Sequence, residues 1–185
     1  QGTASYELFG TGKDLAFAGG DPNSVRSALT SSAAVGQTSL SVADASGFVV
    51  SDEIFVVQVT GTGAGNYDFA TISSKSGNTL GLNKALAFSY SQDSTARAQV
   101  LRVPHFTTVS GYISTGEWDG STGGYVVFRA YETLSATIDV STRGFKGGYG
   151  NGTPNIGCNG NYGTQGNSWT GPGGCSQAPN GGGGG

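Results

Sequence analysis

Residues 53–59 read EIFVVQV, a run of branched and aromatic apolar side chains that is shorter than an ordinary helix. A run of this kind, bounded by turn residues, predicts a buried β-strand. Shorter strand patterns, separated by Gly, Asn, Asp and Ser, occupy residues 38–42, 69–73, 79–82 and 98–103. The region from Ala33 to Val103 is therefore expected to form an all-β unit, a small barrel or sandwich of short antiparallel strands.

Three further strand patterns follow Pro104. They cover residues 107–113, 124–130 and 133–140, and a turn-rich loop around Trp118 separates the first two. Proline cannot donate to a sheet ladder, so Pro104 is expected at a strand edge, where two sub-parts of the head meet.

The chain divides by composition into three segments. Residues 1–32 form an extended N-terminal segment in which Tyr6 and Leu8 are two apart, the period of a strand, and residues 24–29 fit a single helical turn. Residues 33–143 form the β-rich head. Residues 144–185 form a glycine-rich segment.

The composition favours an exported protein. Charged residues make up 11% of the chain, where soluble proteins average about 25%, and the net charge is −3. The nine basic residues form no cluster, so we expect no nucleic-acid partner. The chain contains no Met and no apolar run of the ~18 residues that a membrane span needs. We therefore expect removal of a signal peptide, no membrane span, and an extracellular or cell-surface location.

The glycine-rich segment carries glycines in a three-residue register, beginning at Gly144, Gly147 and Gly150. This period matches a left-handed helix of the polyproline-II type, and a disordered linker is the alternative. A disulfide between Cys158 and Cys175 would stabilise the segment by about 3 kcal/mol. Asn151 begins the sequon Asn-Gly-Thr and is a candidate for N-glycosylation.

Few residues suggest catalysis or metal binding. Glu117 and Asp119 flank Trp118, a pattern compatible with glycoside hydrolysis, although a solvated loop explains it more simply. His105 is the single histidine, and too few thiol and imidazole ligands accompany it for a zinc site. We therefore expect no enzymatic activity, no cofactor and no metal.

Aromatic side chains are the candidates for carbohydrate contact, because flat rings stack on the faces of sugars. The four candidates are Trp118, Trp169, Tyr149 and Tyr162. Core packing explains such residues equally well.

Several stretches together resemble known surface proteins. They are FGTGKD at 9–14, VGQTSLSVADASGF at 35–48, RVPHFTTV at 102–109, WDGSTGG at 118–124 and DVSTRGFKGG at 139–148. Their order resembles that of bacterial secreted surface proteins with a β-rich head before a glycine-rich tract, in which a Gly usually stands where this chain has Ser51. The glycine-rich end is similar to the polyglycine-II lattices of phage tail adhesins, and the whole is similar to subunits of environmental extracellular fibrils. These resemblances imply an architecture and no catalytic residue.

The leading hypothesis is a structural subunit of an extracellular fibril or pilus-like filament, a polymer of copies of itself. The segment with Tyr6, Leu8 and Phe9 would add as a strand to the sheet edge of the next subunit. The alternative is a cell-surface or phage-type adhesin that binds glycans through its aromatic residues or its glycine-rich tip.

Overall fold

A computed structural model describes residues 9–144, 150–154 and 161–163 of the chain. The fold is all-β, as the sequence predicts. Six strands form one antiparallel sheet in the order β1-β6-β3-β4-β5-β2. They are β1 (Arg26–Ala28), β2 (Ser39–Ser41), β3 (Glu53–Thr60), β4 (Tyr67–Ser76), β5 (Thr79–Leu82) and β6 (Arg97–Val103).

The two outer strands of this sheet meet and close it into a barrel. Just beyond them, Leu29 forms an isolated bridge with Val42. The amide of Thr30 donates to the carbonyl of Ser41 at 3.0 Å, and the amide of Ala43 donates to the carbonyl of Ala28 at 2.9 Å. Closure pairs the backbone groups that an open sheet would leave exposed at its edges. Of the predicted alternatives, the barrel is therefore the one formed.

The apolar run of β3 is buried on both faces. Its inward side chains, including Ile54 and Val56, join the barrel core with Phe48 and Tyr90. Its outward side chains are covered from outside the barrel, in a second cluster made of Phe55, Val57, Val59, Leu101, Val103 and Trp118. A strand buried on both faces carries a continuous rather than an alternating apolar pattern, which explains the run at residues 53–59.

A parallel layer lies beside the barrel. Strands β7 (His105–Ile113) and β8 (Arg129–Ile138) pair in parallel. Residues 14–20 follow the other side of β7, also in parallel, through bridges from Phe17 to Val109 and from Gly20 to Ile113. The barrel is thus inserted between the first two stretches of this layer. Unlike the barrel strands, β7 and β8 pair in parallel, because the long connection from residue 114 to 128 returns the chain to the start of β7.

Glycines allow the first stretch to approach β7 closely. Gly111 has a φ of 76°, and a Cβ at this position would lie 2.5 Å from the carbonyl oxygen of Ala18. Gly19, with a φ of 115°, faces the carbonyl oxygen of Tyr112 in the same way. Any larger residue at either position would push the two strands apart.

Several local predictions need correction. Residues 26–28 form strand β1 rather than a helical turn, since the ladder with β6 satisfies their backbone groups. The pattern at 124–130 becomes a strand only from Arg129, and it continues without a break into the predicted strand at 133–140 and ends at Ile138. In the glycine-rich segment, β9 (Gly150–Pro154) and β10 (Asn161–Gly163) form an antiparallel pair, with Gly150 opposite Gly163. These glycines lie in a ladder, whose hydrogen bonds a polyproline-II helix would lack.

Candidate functional site

Charged side chains concentrate where the barrel meets the parallel layer. From the barrel come Asp52, Glu53 and Arg102, and from the parallel layer come Lys13, Asp14, His105 and Arg129. Glu53, His105 and Arg129 are the first residues of β3, β7 and β8. Side chains at strand starts are held by the sheet and still reach the solvent at its edge.

Glu53 is the centre of one ion cluster. Its carboxylate accepts hydrogen bonds from Arg129 Nε and Nη2, at 2.6 and 2.5 Å, and faces His105 Nε2 at 2.6 Å. Because the amide of Thr11 donates to His105 Nδ1, Nε2 carries the ring proton that points at Glu53. Burial opposes ionisation of Glu53, but the hydrogen bonds from Arg129 and His105 and the charge of Arg129 outweigh it and lower its pKa to about 2.

Asp52 is the centre of a second cluster. It is 1% exposed and accepts from Arg102 Nε at 2.9 Å, from Lys13 Nζ at 3.1 Å and from the amide of Val49 at 3.0 Å. Burial opposes its ionisation, yet these bonds lower its pKa below the usual range. Arg102 also binds Asp14, whose other oxygen accepts from the amide of His105 at 2.7 Å. The two clusters therefore tie the first residues of the parallel layer to the barrel.

A cleft of about 480 Å³ opens beside these clusters. Its lining is polar and comes from Thr11, Lys13, Ser51, Glu53, Thr71, Asn83, His105 and Arg129. A strained residue stands in its wall: Ser51 has a φ of 74°, in the region that favours glycine. Its carbonyl oxygen accepts from Lys13 Nζ at 3.2 Å.

An aromatic ridge runs into the cleft along the outer face of β4. Tyr67, Phe69 and Thr71 alternate onto this face, and Tyr67 is 54% exposed. The rings of Tyr67 and Phe69 meet edge-on at 6.0 Å, and Phe55 supports Tyr67 at 5.5 Å. The guanidinium of Arg129 lies 5.4 Å from the centre of the Phe69 ring. The ridge therefore joins a solvent-exposed ring to the charged wall of the cleft.

The residues predicted to contact glycans are not part of this site. Trp118 is 3% exposed and packs in the outer cluster of the barrel, so the core-packing explanation holds and its indole presents no face to a sugar. Tyr149 and Trp169 lie outside the described residues, as does the side chain of Tyr162, whose backbone forms part of β10.

The other predicted sites also fall largely outside the described part of the chain. Cys158 and Cys175 lie there, as do Tyr6 and Leu8 of the proposed donor strand. Phe9 is described and is 55% exposed. Asn151 is placed on β9 by its backbone, and its side chain is not described.

Glu117 and Asp119 take part in local structure. Asp119 accepts from the amides of Ser121 and Thr122 at 2.7 and 2.8 Å. Although burial opposes it, these bonds lower the pKa of Asp119. Glu117 lies 3.4 Å from Arg143. This is the turn that the simpler interpretation of the two carboxylates predicts.

Sequence analysis missed Tyr67 and the cleft. Tyr67 lies two residues before the first residue of the predicted strand at 69–73 and so has the parity of Phe69, a signal that an aromatic lies on the outer face. Nothing local shows that Glu53, His105 and Arg129 converge, because parallel pairing of β7 with β8 brings the last two together.

No group of three or more His, Cys, Asp or Glu in the described ranges is arranged to hold a metal ion. Within the same ranges, no helix is long and apolar enough to cross a membrane.

Comparison with known proteins gives distant structural likenesses. No family model and no curated protein sequence matches the chain. The Gp54 tailspike of Acinetobacter baumannii bacteriophage AP22, solved with a capsular saccharide of A. baumannii, is similar over 63% of this chain and 21% of its own, at 19% identity and a TM-score of 0.38.

Two further tailspikes show similar likenesses. The tailspike gp49 of Pseudomonas phage LKA1 is similar over 54% of this chain and 20% of its own, at 16% identity and a TM-score of 0.33. Gp61 of Pseudomonas phage phi297 is similar over 63% and 20%, at 14% identity and a TM-score of 0.34. The chain spans about a fifth of each tailspike. With TM-scores this low, the likenesses carry no argument about function.

Proposed function

We propose that the chain is a glycan-binding module of the adhesin type, displayed outside the cell, which holds a sugar in the cleft with one ring stacked on Tyr67. The observation that carries this proposal is the continuity of the aromatic ridge with the polar cleft. A sugar has an apolar face that packs on an aromatic ring and a rim of hydroxyl groups that need hydrogen-bond partners. The ridge and the cleft offer both surfaces side by side.

The state of Glu53 supports binding without catalysis. Glycoside hydrolysis uses two carboxyl groups, one of which has a raised pKa so that it can act as an acid. Among the described residues that line the cleft, Glu53 is the one carboxylate, and its pKa is lowered to about 2. At neutral pH it therefore has no proton to donate.

A glycan array followed by calorimetry tests the proposal. The variant Tyr67→Ala should bind the best glycan about tenfold more weakly, because it loses a stacking surface worth about 1 kcal/mol or more. Tyr112→Ala is the matched control: Tyr112 is 53% exposed, lies far along β7 from His105, and should be replaceable without loss of binding. Equal weakening by both changes, or no binding to any glycan by the unaltered chain, would overturn the proposal.

The fibril remains a second candidate, and one observation favours it. Ile138 on β8 is 48% exposed, although its cross-strand partner Ile113 is fully buried. An apolar side chain on an outer strand is suited to contact with another copy of the chain. Electron microscopy of the native material tests this, and deletion of residues 1–10 should abolish any filaments if the N-terminal strand joins the subunits. Discrete particles from the intact chain would exclude the filament.

A further inference from the structure

We infer that the cleft is selective for an anionic sugar, specifically one whose carboxylate lies against Lys13, as in a uronic acid. This inference rests on the proposed glycan-binding function and names its ligand class. The ligand's carboxylate would be held by the donors of the cleft while its ring packs toward Tyr67.

The charges of the two ion clusters are ordered with respect to the solvent. The carboxylate of Asp52 is 1% exposed, whereas its partner Lys13 is 36% exposed. In the other cluster Glu53 is 14% exposed and Arg129 is 25% exposed. In each of these pairs the cation is therefore the more accessible group, and Lys13 and Arg129 both line the cleft beside Glu53. Accessible cations attract anions locally, despite the net negative charge of the chain.

The hydrogen-bonding groups that line the cleft also favour an anionic ligand. The carboxylate and amide acceptors are already engaged, since Glu53 takes three donors and Asn83 Oδ1 accepts from the amide of Thr71 at 2.8 Å. That bond directs the other end of the Asn83 amide, its NH₂ donor, away from Thr71. The hydroxyl groups of the lining can each donate as well as accept. The described contacts of Lys13 Nζ, to Ser51 and Asp52, use two of its three N–H groups. The cleft is therefore richer in available donors than in acceptors.

A donor-rich wall discriminates between sugars. A hydroxyl group donates as well as accepts, so a neutral sugar leaves some of its own donors without partners in this cleft. A carboxylate only accepts, and its bonds with charged donors are the stronger kind. The volume of about 480 Å³ lies within the range of small-ligand sites.

Calorimetry with a matched pair of ligands tests the inference. The probes are an oligogalacturonate and the same oligosaccharide with its carboxylates reduced to alcohols. The acidic form should bind at least about tenfold more tightly, since a hydrogen bond to a charged group is worth that much. Its affinity should fall as salt is raised.

Variants locate the contact. Lys13→Gln should weaken the acidic ligand about tenfold and leave the neutral one unchanged, and Lys13→Arg should retain binding. Asp52 keeps Arg102 and the Val49 amide in these variants, so the fold is retained. Arg97→Gln is the control, because it removes the same charge at the opposite end of the ladder between β3 and β6 and should change affinity less than twofold.

The outcomes separate the inference from the proposed function. Equal affinity for the two ligands, lost in Tyr67→Ala, would overturn the inference and leave glycan binding intact. Failure of both ligands, and of every glycan on the array, would overturn both. Tighter binding of a sulfated analogue than of the uronate would overturn the assignment of a carboxylate.

Discussion

The barrel and the parallel layer differ in how their outer strands are covered. In the barrel, the outer strands meet through Leu29 and Val42, so the sheet closes on itself. In the parallel layer, Ile113 on the middle strand is fully buried while its partner Ile138 on the outer strand is 48% exposed. The barrel is therefore complete in itself, whereas the layer depends on the barrel on one side and is less covered at β8.

The candidate site lies where these two regions join. The ion clusters of Asp52 and Glu53 connect the start of β3 and the end of β6 in the barrel to residues of the layer. Four of the side chains that connect the two regions, those of Lys13, Glu53, His105 and Arg129, also line the cleft. Changes at this joint are expected to affect stability and binding together, whereas changes in the barrel or the layer away from the cleft and the aromatic ridge should affect stability alone.

The largest expected effect on stability is a difference between substitutions on the middle strand of the layer, β7, and on its outer strand, β8. Ile113→Ala should lower the free energy of unfolding by about 3–4 kcal/mol, because it opens a cavity at a fully buried position. Ile138→Ala, the same change on its cross-strand partner, should cost less than about 1 kcal/mol. Urea denaturation measures both. Similar losses would mean that β8 is covered as fully as β7.

The next effect tests whether one buried side chain fastens the layer to the barrel. The amide of Asn23 is fully buried and donates to the carbonyls of Arg102 and Val127, at 2.9 and 2.7 Å, while its oxygen accepts from the Val127 amide at 2.7 Å. Asn23→Ala leaves these groups without partners and should cost about 2–3 kcal/mol.

The control for this prediction is Asn78→Ala, because the Asn78 side chain is exposed and its two hydrogen bonds lie within the barrel. It should cost about 1 kcal/mol or less. Hydrogen exchange should also become faster around Val127 in Asn23→Ala. A loss of stability no larger than that of the control would show that other contacts hold the joint between the barrel and the layer.

The strands of the barrel can be predicted from the sequence far better than the contacts at the joint between the barrel and the parallel layer. Strands such as β3 and β5 follow from apolar runs and turn residues close to them in the chain. The parallel pairing of β7 with β8, and the contact of Glu53 with Arg129, join residues far apart in sequence, and no local pattern specifies them. Trp118 illustrates the limit, since composition alone does not separate a buried indole from one that stacks on a sugar.

As the pH falls, the joint between the barrel and the parallel layer should lose stability before the barrel core does. The pKa of Glu53 is lowered to about 2 in the folded protein, from about 4.5 in the unfolded chain. The stabilisation is therefore present above pH 4.5 and is lost as the pH falls toward 2. The full shift corresponds to about 3 kcal/mol, and partial exposure reduces this to about 2 kcal/mol.

Glu53→Gln provides the comparison for acid stability. It should be less stable at pH 7, and its stability should fall less steeply than that of the unaltered chain between pH 4.5 and 2. Chemical denaturation across this range measures the two slopes. If the stability of both proteins fell equally steeply with pH, the result would contradict the assigned role of Glu53 in the ion cluster.

The smallest effect concerns backbone strain in the wall of the cleft. Ser51 has a φ of 74°, which a glycine adopts without steric cost, so Ser51→Gly should stabilise the fold by about 0.5–1 kcal/mol. Ser39→Gly in the extended strand β2 should instead destabilise it by a similar amount. Destabilisation by both changes would contradict the strained turn.

Mapping the bound sugar by NMR tests the central claim most directly. Amide spectra recorded during titration with the best glycan should show the largest shifts at Tyr67, Thr71, Asn83 and the amides around Ser51, where the ridge enters the cleft. Shifts confined to β9, β10 or the residues around Trp169, with the cleft unperturbed, would contradict the account and assign recognition to the glycine-rich segment.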